Sequence, residues 1–394
     1  MVAHSFPRAE GDLAGAFLWR LAEALVDRGH EVLALAPADR GEVGPPLLGR
    51  VEVRRVRYAS PSRENVAYTG DMVRSLRSPG GALAMMRLVR ALSRAASDAC
   101  RAGTAHVLHA HWWVPGGLAV SRAERSGRPL VVTLHGSDVR LARRFPGGRR
   151  LMASVLRRAA VITAVSSYLA EEAAGALGRA VETIPVTPMP LAGGIPLQSD
   201  VLRSGVVFVG RLTAQKGVHV LLEALAILKH RGLVLPLTVV GDGPMRPDLK
   251  AQALALGVPA TFVGFVPPED VPRHLSDKRV LVLPSIDEGL GLVVAEALIH
   301  GVPVVATRSG GIPDLVTEPD SGLLVPPAKP APLADAIRTV TTDERFLGGA
   351  KRAGRILLER LSPERAAEVF EHIYNRARGG RRSSAASVQP GTAR

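Results

Sequence analysis

Short apolar, β-branched runs recur along this chain, separated by amphipathic stretches of helical length, and the rhythm breaks once near the middle. In the first half the strand candidates are 1–4, 32–36, 51–56, 106–109, 130–134, 161–165 and 181–184, with helices expected at 13–28, 83–102, 118–126, 149–159 and 168–177. Apolar strands alternating with helices of this length predict a parallel sheet covered on both faces. The run Pro185-Val186-Thr187-Pro188-Met189-Pro190-Leu191-Ala192-Gly193-Gly194-Ile195-Pro196 is too rich in Pro and Gly to continue either element and reads as an interdomain linker. The rhythm then restarts, with strands at 206–209, 237–240, 261–263, 280–283, 302–306 and 323–325 and helices at 218–230, 246–256, 271–276, 292–300 and 333–340. The fold class expected is therefore α/β, with two doubly wound, Rossmann-like domains at 1–190 and 191–361. A last helix, 362–378, opens on Ser362-Pro363-Glu364, an N-cap residue followed by Pro at the first helical position, and is expected to return to the first domain. The remainder, 379–394, is a basic tail expected to be disordered. Met1 already stands inside the first strand, so either that strand is short or the true start lies upstream.

Composition removes several classes. With 46% hydrophobic and 22% charged residues the chain is no disordered polymer. A single cysteine, Cys100, excludes a disulfide framework and a Cys-based zinc cluster, and fits a reducing compartment. No apolar run reaches the ~18 residues of a membrane span, and the N-terminus lacks the apolar stretch of a signal peptide. A cytoplasmic protein is expected. The formal net charge is +14, unevenly spread: residues 1–196 carry a net of +10, residues 197–375 a net of −1, and the last 19 residues five Arg and no acid. Such an excess suits nucleic acid, an anionic membrane surface or a phosphorylated substrate. With 44 Arg against six Lys, codon bias accounts for part of it, but not for its distribution.

In open α/β sheets ligands bind at loops following the carboxyl ends of strands, and in the second domain those loops carry the chemistry. After 206–209 comes Gly210-Arg211-Leu212-Thr213-Ala214-Gln215-Lys216-Gly217, then a helix. Lys216 stands before a helix N-terminus, where the dipole disfavours a cation. Either Arg211 and Lys216 are solvated loop charges or an anion engages both of them and the helix amides. After 237–240 comes Gly241-Asp242-Gly243-Pro244, either a common tight turn or a backbone approach to a ligand. After 280–283 comes Pro284-Ser285-Ile286-Asp287-Glu288-Gly289-Leu290-Gly291-Leu292, leading into a helix that contains Glu296. On one helix Glu288 and Glu296 would sit about 80° apart, so Glu288 is expected on the loop and Glu296 inside the helix, reaching opposite ends of a ligand. Gly289 and Gly291 would offer backbone amides between them. Helix-start and exposed helical carboxylates remain the plainer alternatives.

These loops, with Gly310-Gly311-Ile312-Pro313 after a further strand, resemble in order and spacing the donor-domain motifs of retaining family-4 glycosyltransferases with the GT-B fold (glycosyl transferases group 1). The resemblance implies two domains facing a central cleft that holds a nucleotide-diphosphate sugar. Positions matching Arg211 and Lys216 neutralise the diphosphate. The position matching Glu296 holds the ribose, and that matching Glu288 the hydroxyls of the transferred sugar, helped by backbone at Gly289, Leu290, Gly291 and Leu292. Phe262 and Val263 match the segment beside the base, with Gly210, Gly241 and Gly243 donor-binding turns. Leu290 stands where the family often has Phe, and Asp314 where it often has Glu.

The first domain is similar more loosely. Gly11-Asp12-Leu13-Ala14-Gly15 looks like the glycine loop whose backbone approaches the donor phosphate and the acceptor. His135, in His135-Gly136-Ser137-Asp138, matches a position near the transferred sugar and joins Arg211, Lys216 and Glu288 as a catalytic candidate. His111 and Trp112, in His109-Ala110-His111-Trp112-Trp113, and Asp138 are acceptor-side candidates with Gly11 and Asp12. Trp112 or Trp113 could stack on a sugar ring. One tryptophan is expected in the core, and His109, which alternates into the sheet, is expected to be structural. Pro185-Val186-Thr187-Pro188 replaces the family's usual segment after Ile-Pro.

The activity implied is retaining transfer of a hexose from a UDP- or GDP-linked sugar to a lipid, polysaccharide or small-molecule acceptor. No Asp-x-Asp pair occurs in the chain, so no metal and no cofactor is expected, and two cations would replace a metal clamp on the diphosphate. A nucleotide-sugar epimerase on the same scaffold, or a basic membrane- or nucleic-acid-binding module, are the alternatives. Basic stretches without aromatic interleaving or a recognition helix speak against nucleic acid. Because the donor half is nearly neutral, the positive excess is expected to meet an anionic acceptor or the inner face of an anionic membrane, making the protein peripheral there.

Overall fold

The computed structural model describes residues 1–12, 14–68, 78–123, 127–191 and 203–385. The chain divides into two compact units, Met1–Pro190 joined by Pro363–Arg394, and Leu191–Ser362.

In the first unit the strands are β1 (Leu33–Pro37), β2 (Leu47–Leu48), β3 (Val51–Val56), β4 (Leu108–His111), β5 (Leu130–Leu134) and β6 (Val161–Ala164). All residues of β4, β5 and β6 are buried, as expected of parallel strands covered on both faces. The strand anticipated at 1–4 is reduced to Val2, which bridges Leu35 on one side and Ala110 on the other. The first three residues still complete the ladder: Val2 donates to the His109 carbonyl (2.8 Å), Ala3 to Leu35 (3.0 Å), and Leu35 back to Met1 (2.8 Å). The parallel order is thus β3-β1-Val2-β4-β5-β6, reversing direction beside Val2, with β2 antiparallel at the β3 edge.

Three expectations change here. Residues Val181–Thr183 form a 3₁₀ turn instead of a strand. Pro185 has no N–H for a ladder, so pairing falls on Val186, which bridges Ala164, and on the Thr187 amide, 2.7 Å from the Ala164 carbonyl. The first half of the expected linker is therefore the edge of this sheet, while 192–196 lie outside the described residues. Helices α1 (Ala16–Asp27), α2 (Pro79–Arg101), α3 (Leu118–Ala123), α5 (Gly148–Leu156) and α6 (Ser167–Leu177) take the expected places. The eight-residue α4 (Ser137–Arg144), polar and without a long apolar stripe, was not anticipated.

In the second unit β7 (Val206–Val209), β8 (Leu237–Val240), β9 (Ala260–Gly264), β10 (Val280–Leu283), β11 (Val304–Thr307) and β12 (Gly322–Val325) form one parallel sheet, in the order β12-β11-β10-β7-β8-β9. The chain starts at the centre, builds to one side, then returns to the other side of β7. The switch point of this doubly wound order lies between β7 and β10, where such sheets open a crevice at their carboxyl ends. Helices α7 (Val218–His230), α8 (Arg246–Ala255), α9 (Val271–Leu275), α10 (Leu292–Ile299), α11 (Pro330–Thr342) and α12 (Arg345–Arg360) cover it, α7 packing on α11 and α10 on α12. Helix α12 was missed because glycine lowers helix propensity. The reason for those glycines is contact: a Cβ at Gly354 would collide with the Leu298 carbonyl of α10, and one at Gly349 with the Asp320 backbone.

The last helix, α13 (Pro363–Ala385), continues past Arg378, where it was expected to stop, and residues 386–394 of the expected disordered tail lie outside the described residues. It packs on α1. Glu371 accepts from Arg28 (2.6 Å) and meets His30 (2.8 Å), while Phe370 is fully buried. Among the described residues no helix is long and apolar enough to cross a membrane.

Candidate active site

The switch point of the second unit carries an ion pair. Lys216, ending the loop after β7, places Nζ 2.6 Å from Glu288 Oε2, in the loop after β10. The side chains are 21% and 15% exposed, so the pair is half-buried. Hydrogen bonds between the loops hold both ends. Gln215 Nε2 donates to the Asp287 carbonyl (3.0 Å), and the Ile286 amide donates to the Gln215 carbonyl (2.8 Å). From the β11 side, Ser309 Oγ accepts from the Asp287 amide (2.8 Å) and the Gly311 amide donates to the Glu288 carbonyl (3.0 Å).

Glycine is required where these loops touch. Gly217, at φ +70°, caps α7, and a Cβ there would strike the Pro284 carbonyl. Gly310, at φ +58°, lies directly against the Glu288 backbone, with no room for a Cβ. Gly310→Ala therefore adds left-handed strain of about 1–2 kcal/mol to a collision that must displace Glu288. A lower Tm together with reduced turnover is expected, and unchanged turnover in a folded variant would show that Glu288 does not depend on this approach.

In the neighbouring turn the glycines serve a close approach between loops. The space a Cβ would take at Gly241 is filled by the Gly210 carbonyl, and at Gly243 by the Leu212 backbone. Both glycines thus let two protein loops close on each other, as the Leu212 amide confirms by donating to the Asp242 carbonyl (2.9 Å). Arg246, which sequence reasoning passed over, ties this turn to β9: it reaches Asp242 Oδ2 (2.8 Å) and the Phe262 carbonyl (3.3 Å). No helix spans 242–246, so their spacing gave no local signal for the pair. Phe262 is half-buried with Lys250 over its ring, and Val263 is exposed. Arg211 is exposed at the start of its loop. Gly291 caps α10 at φ +82°, Gly289 and Leu290 are buried, Leu292 is the first helical residue, and Glu296 sits within the helix, half-buried. Glu288 and Glu296 therefore lie on loop and helix respectively, as the spacing predicts.

The corresponding end of the first unit is a nest of aromatic rings. Gly15, at φ +79°, caps α1, and a Cβ there would collide with the Ser5 carbonyl, whereas Gly11, at φ +81°, has open space around it. Asp12 is engaged: Oδ2 accepts from the Arg8 amide (2.9 Å) and Nε (2.6 Å), and Arg8 also reaches Asp39 (2.6 Å). Although burial opposes it, the bonds from Arg8 and the Ala14 amide hold the Asp12 carboxyl below its ordinary pKa.

His111 and His135 meet through Nδ1 and Nε2 at 3.1 Å. His135 lies against Trp112 (ring centroids 4.4 Å) and Phe17 (5.4 Å), and Trp112 also meets the edge of His4 (4.2 Å). Both candidate stacking tryptophans are thereby covered, Trp112 at 6% exposure and Trp113 at 3%. Trp113 Nε1 donates to the Asp138 carbonyl (2.7 Å). Asp138 serves its own loop, accepting from the amides of Trp113 (3.0 Å), Gly136 (3.0 Å) and His135 (3.2 Å). Burial raises its pKa, opposed by those bonds. His109 bonds Tyr374 of α13 (2.8 Å) and Thr133 (2.8 Å), so it joins the last helix to the sheet. Burial lowers His4 to about 4 and His135 to about 3, so the rings are neutral at pH 7.

Comparison with known proteins matches both units. Residues 202–356 match the family "Glycosyl transferases group 1", and residues 14–191 a "Glycosyl transferase 4-like domain". The chain is 31% identical over 281 residues to a 2-deoxystreptamine glucosyltransferase of Streptomyces kanamyceticus, covering 65% of this chain and 73% of that one. Among solved structures it resembles Anabaena Alr3699/HepE in complex with UDP (TM-score 0.71, 21% identity, 95% of this chain and 98% of that one). It also resembles sucrose-phosphate synthase from Thermosynechococcus elongatus (TM-score 0.72, 22% identity, 98% and 99%). With two doubly wound units and these relatives, the chain belongs to the group 1 glycosyltransferases and has the GT-B fold.

Proposed function

We propose that this protein transfers a hexose from a UDP- or GDP-linked sugar to an acceptor hydroxyl, retaining anomeric configuration and without a metal. The observation that carries the reading is the Lys216–Glu288 pair at the β7/β10 switch point, a cation and a carboxylate side by side and half-buried. Negative charge grows on the departing diphosphate in the transition state, and preorganised donors there give the largest catalytic gain. Lys216 and Arg211 meet that charge. Glu288 and His135 hold hydroxyls of the transferred sugar, Glu296 the ribose, and Phe262 with Val263 flanks the base. Backbone at Gly289, Leu290, Gly291 and Leu292, and at Gly15, completes the donor contacts.

Retention follows if the acceptor attacks from the face the diphosphate leaves. The acceptor oxygen bonds to the anomeric carbon as the carbon–phosphate oxygen bond breaks, and the acceptor's proton passes to the departing phosphate. The absence of an Asp-x-Asp pair from the sequence supports a clamp made of the two cations. Similarity to a glucosyltransferase, and in fold to a protein crystallised with UDP, supports UDP-glucose as the first donor to test. The positive excess on residues 1–196 supports an anionic acceptor or bilayer surface.

The test is a panel of UDP- and GDP-sugars scored for nucleotide release, with EDTA, and with and without phosphatidylglycerol vesicles carrying a lipid acceptor. Release from one donor, insensitive to EDTA and stimulated by the vesicles, is expected. No release from any donor sinks the transferase reading, EDTA inhibition sinks the metal-free clamp, and lack of vesicle binding sinks the membrane contact.

A further inference from the structure

The contact between His111 Nδ1 and His135 Nε2 contains one proton, and the surroundings decide which ring owns it. His111 is fully buried, and its other nitrogen, Nε2, has no hydrogen-bond partner among the described residues. If His135 donated, His111 would carry its own proton on Nε2, leaving a buried N–H without an acceptor. Orphaned buried N–H groups are rarer and costlier than a bare acceptor lone pair. With the proton on His111 Nδ1, only a lone pair goes unmatched. Both rings are neutral, because burial lowers each pKa, so neither is a double donor.

We propose that His111 is a positioning residue: it donates from Nδ1 to His135 Nε2 and thereby fixes His135 with its proton on Nδ1. In a neutral imidazole the hydrogen bond made by one nitrogen sets the protonation of the other. His135 is half-buried, and its Nδ1 makes no hydrogen bond among the described residues. The free edge of His135 is then a hydrogen-bond donor. It recognises an oxygen lone pair on the sugar or its phosphate and cannot act there as a base. This rests on the reading of His135 as a substrate contact and gives that contact its direction.

The surrounding rings hold the geometry. His109 lies against His111 (centroids 4.0 Å) and is itself fixed by Tyr374 and Thr133, while Trp112 and Phe17 flank His135. The pair could not be read from the sequence, since the contact spans 24 residues and depends on β4 and β5 lying side by side.

The experiment is long-range ¹H–¹⁵N NMR of the full chain labelled in its histidines, which separates the two neutral tautomers; His135 is assigned by loss of its signals in His135→Gln. The Nδ1–H form of His135 and the Nδ1–H form of His111 are expected at pH 7.5. His111→Met places a thioether, an acceptor with no proton to give, against His135 Nε2; it should turn His135 toward the Nε2–H form that imidazole favours in water and lower kcat/KM by roughly tenfold, the order of one lost hydrogen bond. Tyr374→Phe, which disturbs the same cluster without touching this pair, should leave the tautomer unchanged. Finding His135 as Nε2–H in the wild type, or unaltered in His111→Met, overturns the proposal. If His111→Met does not fold, the wild-type spectrum alone decides. Absence of turnover with every donor would overturn the transferase reading and leave the tautomer result standing.

Discussion

Lys216→Ala is expected to lower kcat by about 10²-fold or more, the scale of removing one preorganised donor from a developing negative charge. The ammonium is pre-positioned: its loop is tied to the Glu288 loop through Gln215 and Ile286, and Glu288 holds it at 2.6 Å before any ligand arrives. A bound diphosphate would find the cation already oriented. Truncation removes it and leaves the Glu288 carboxylate, 15% exposed, without its ion-pair partner, so KM should rise as well. Near-unchanged kinetics in a folded variant would remove Lys216 from the reaction. The pairing also makes the two residues a unit. Glu288→Gln should cost less in the Lys216→Ala background than in the wild type, because neighbours sharing one interaction are not additive. Strict additivity would mean that the ion pair is incidental and that each group meets a ligand separately.

That coupling shows where sequence reading reaches its limit. The loops carrying Lys216 and Glu288 are marked by their chemistry, because strand-to-helix turns rich in Gly with placed charges are local patterns. Their adjacency is not local. The residues are 72 apart, and they meet because β10 returns past β8 and β9 to pair with β7, a choice made by packing both sheet faces. The glycines stay ambiguous for a related reason. Gly241 and Gly243 look like openings for a ligand, yet the atoms that fill those openings belong to Gly210 and Leu212. A glycine reports close approach but not what approaches. The tryptophans fail in the same way: Trp112 stands at a strand end suited to stacking, but His4, His135 and Phe17, from three other segments, enclose it. Last, α13 is legible as a helix from Ser362 and Pro363, whereas the bond from Tyr374 to His109, across 265 residues, is visible only once it docks.

The first unit should lose stability steeply on mild acidification, with the histidine cluster as a main cause. Burial lowers His4 to about 4 and His135 to about 3, and holds His109 and His111 well below 6.5. The folded state therefore binds fewer protons than the unfolded chain, and stability falls with pH once pH drops below the unfolded value near 6.5. For one histidine that stays neutral in the folded state, the loss between pH 7.5 and 5 is about 2 kcal/mol by linkage, and it continues to grow until pH reaches the folded pKa. The three tryptophans, Trp19, Trp112 and Trp113, all lie in this unit, so their fluorescence follows its unfolding separately from the other. His4→Phe keeps a ring against Trp112 and removes one titrating site whose Nδ1 is buried without a partner among the described residues. In urea titrations, wild type should lose about 2 kcal/mol more than His4→Phe over that pH window. Equal losses would mean that His4 is already protonated in the folded state near pH 5. Such a charge would sit against Trp112 with His135 beside it, which the depressed pKa of both rings argues against.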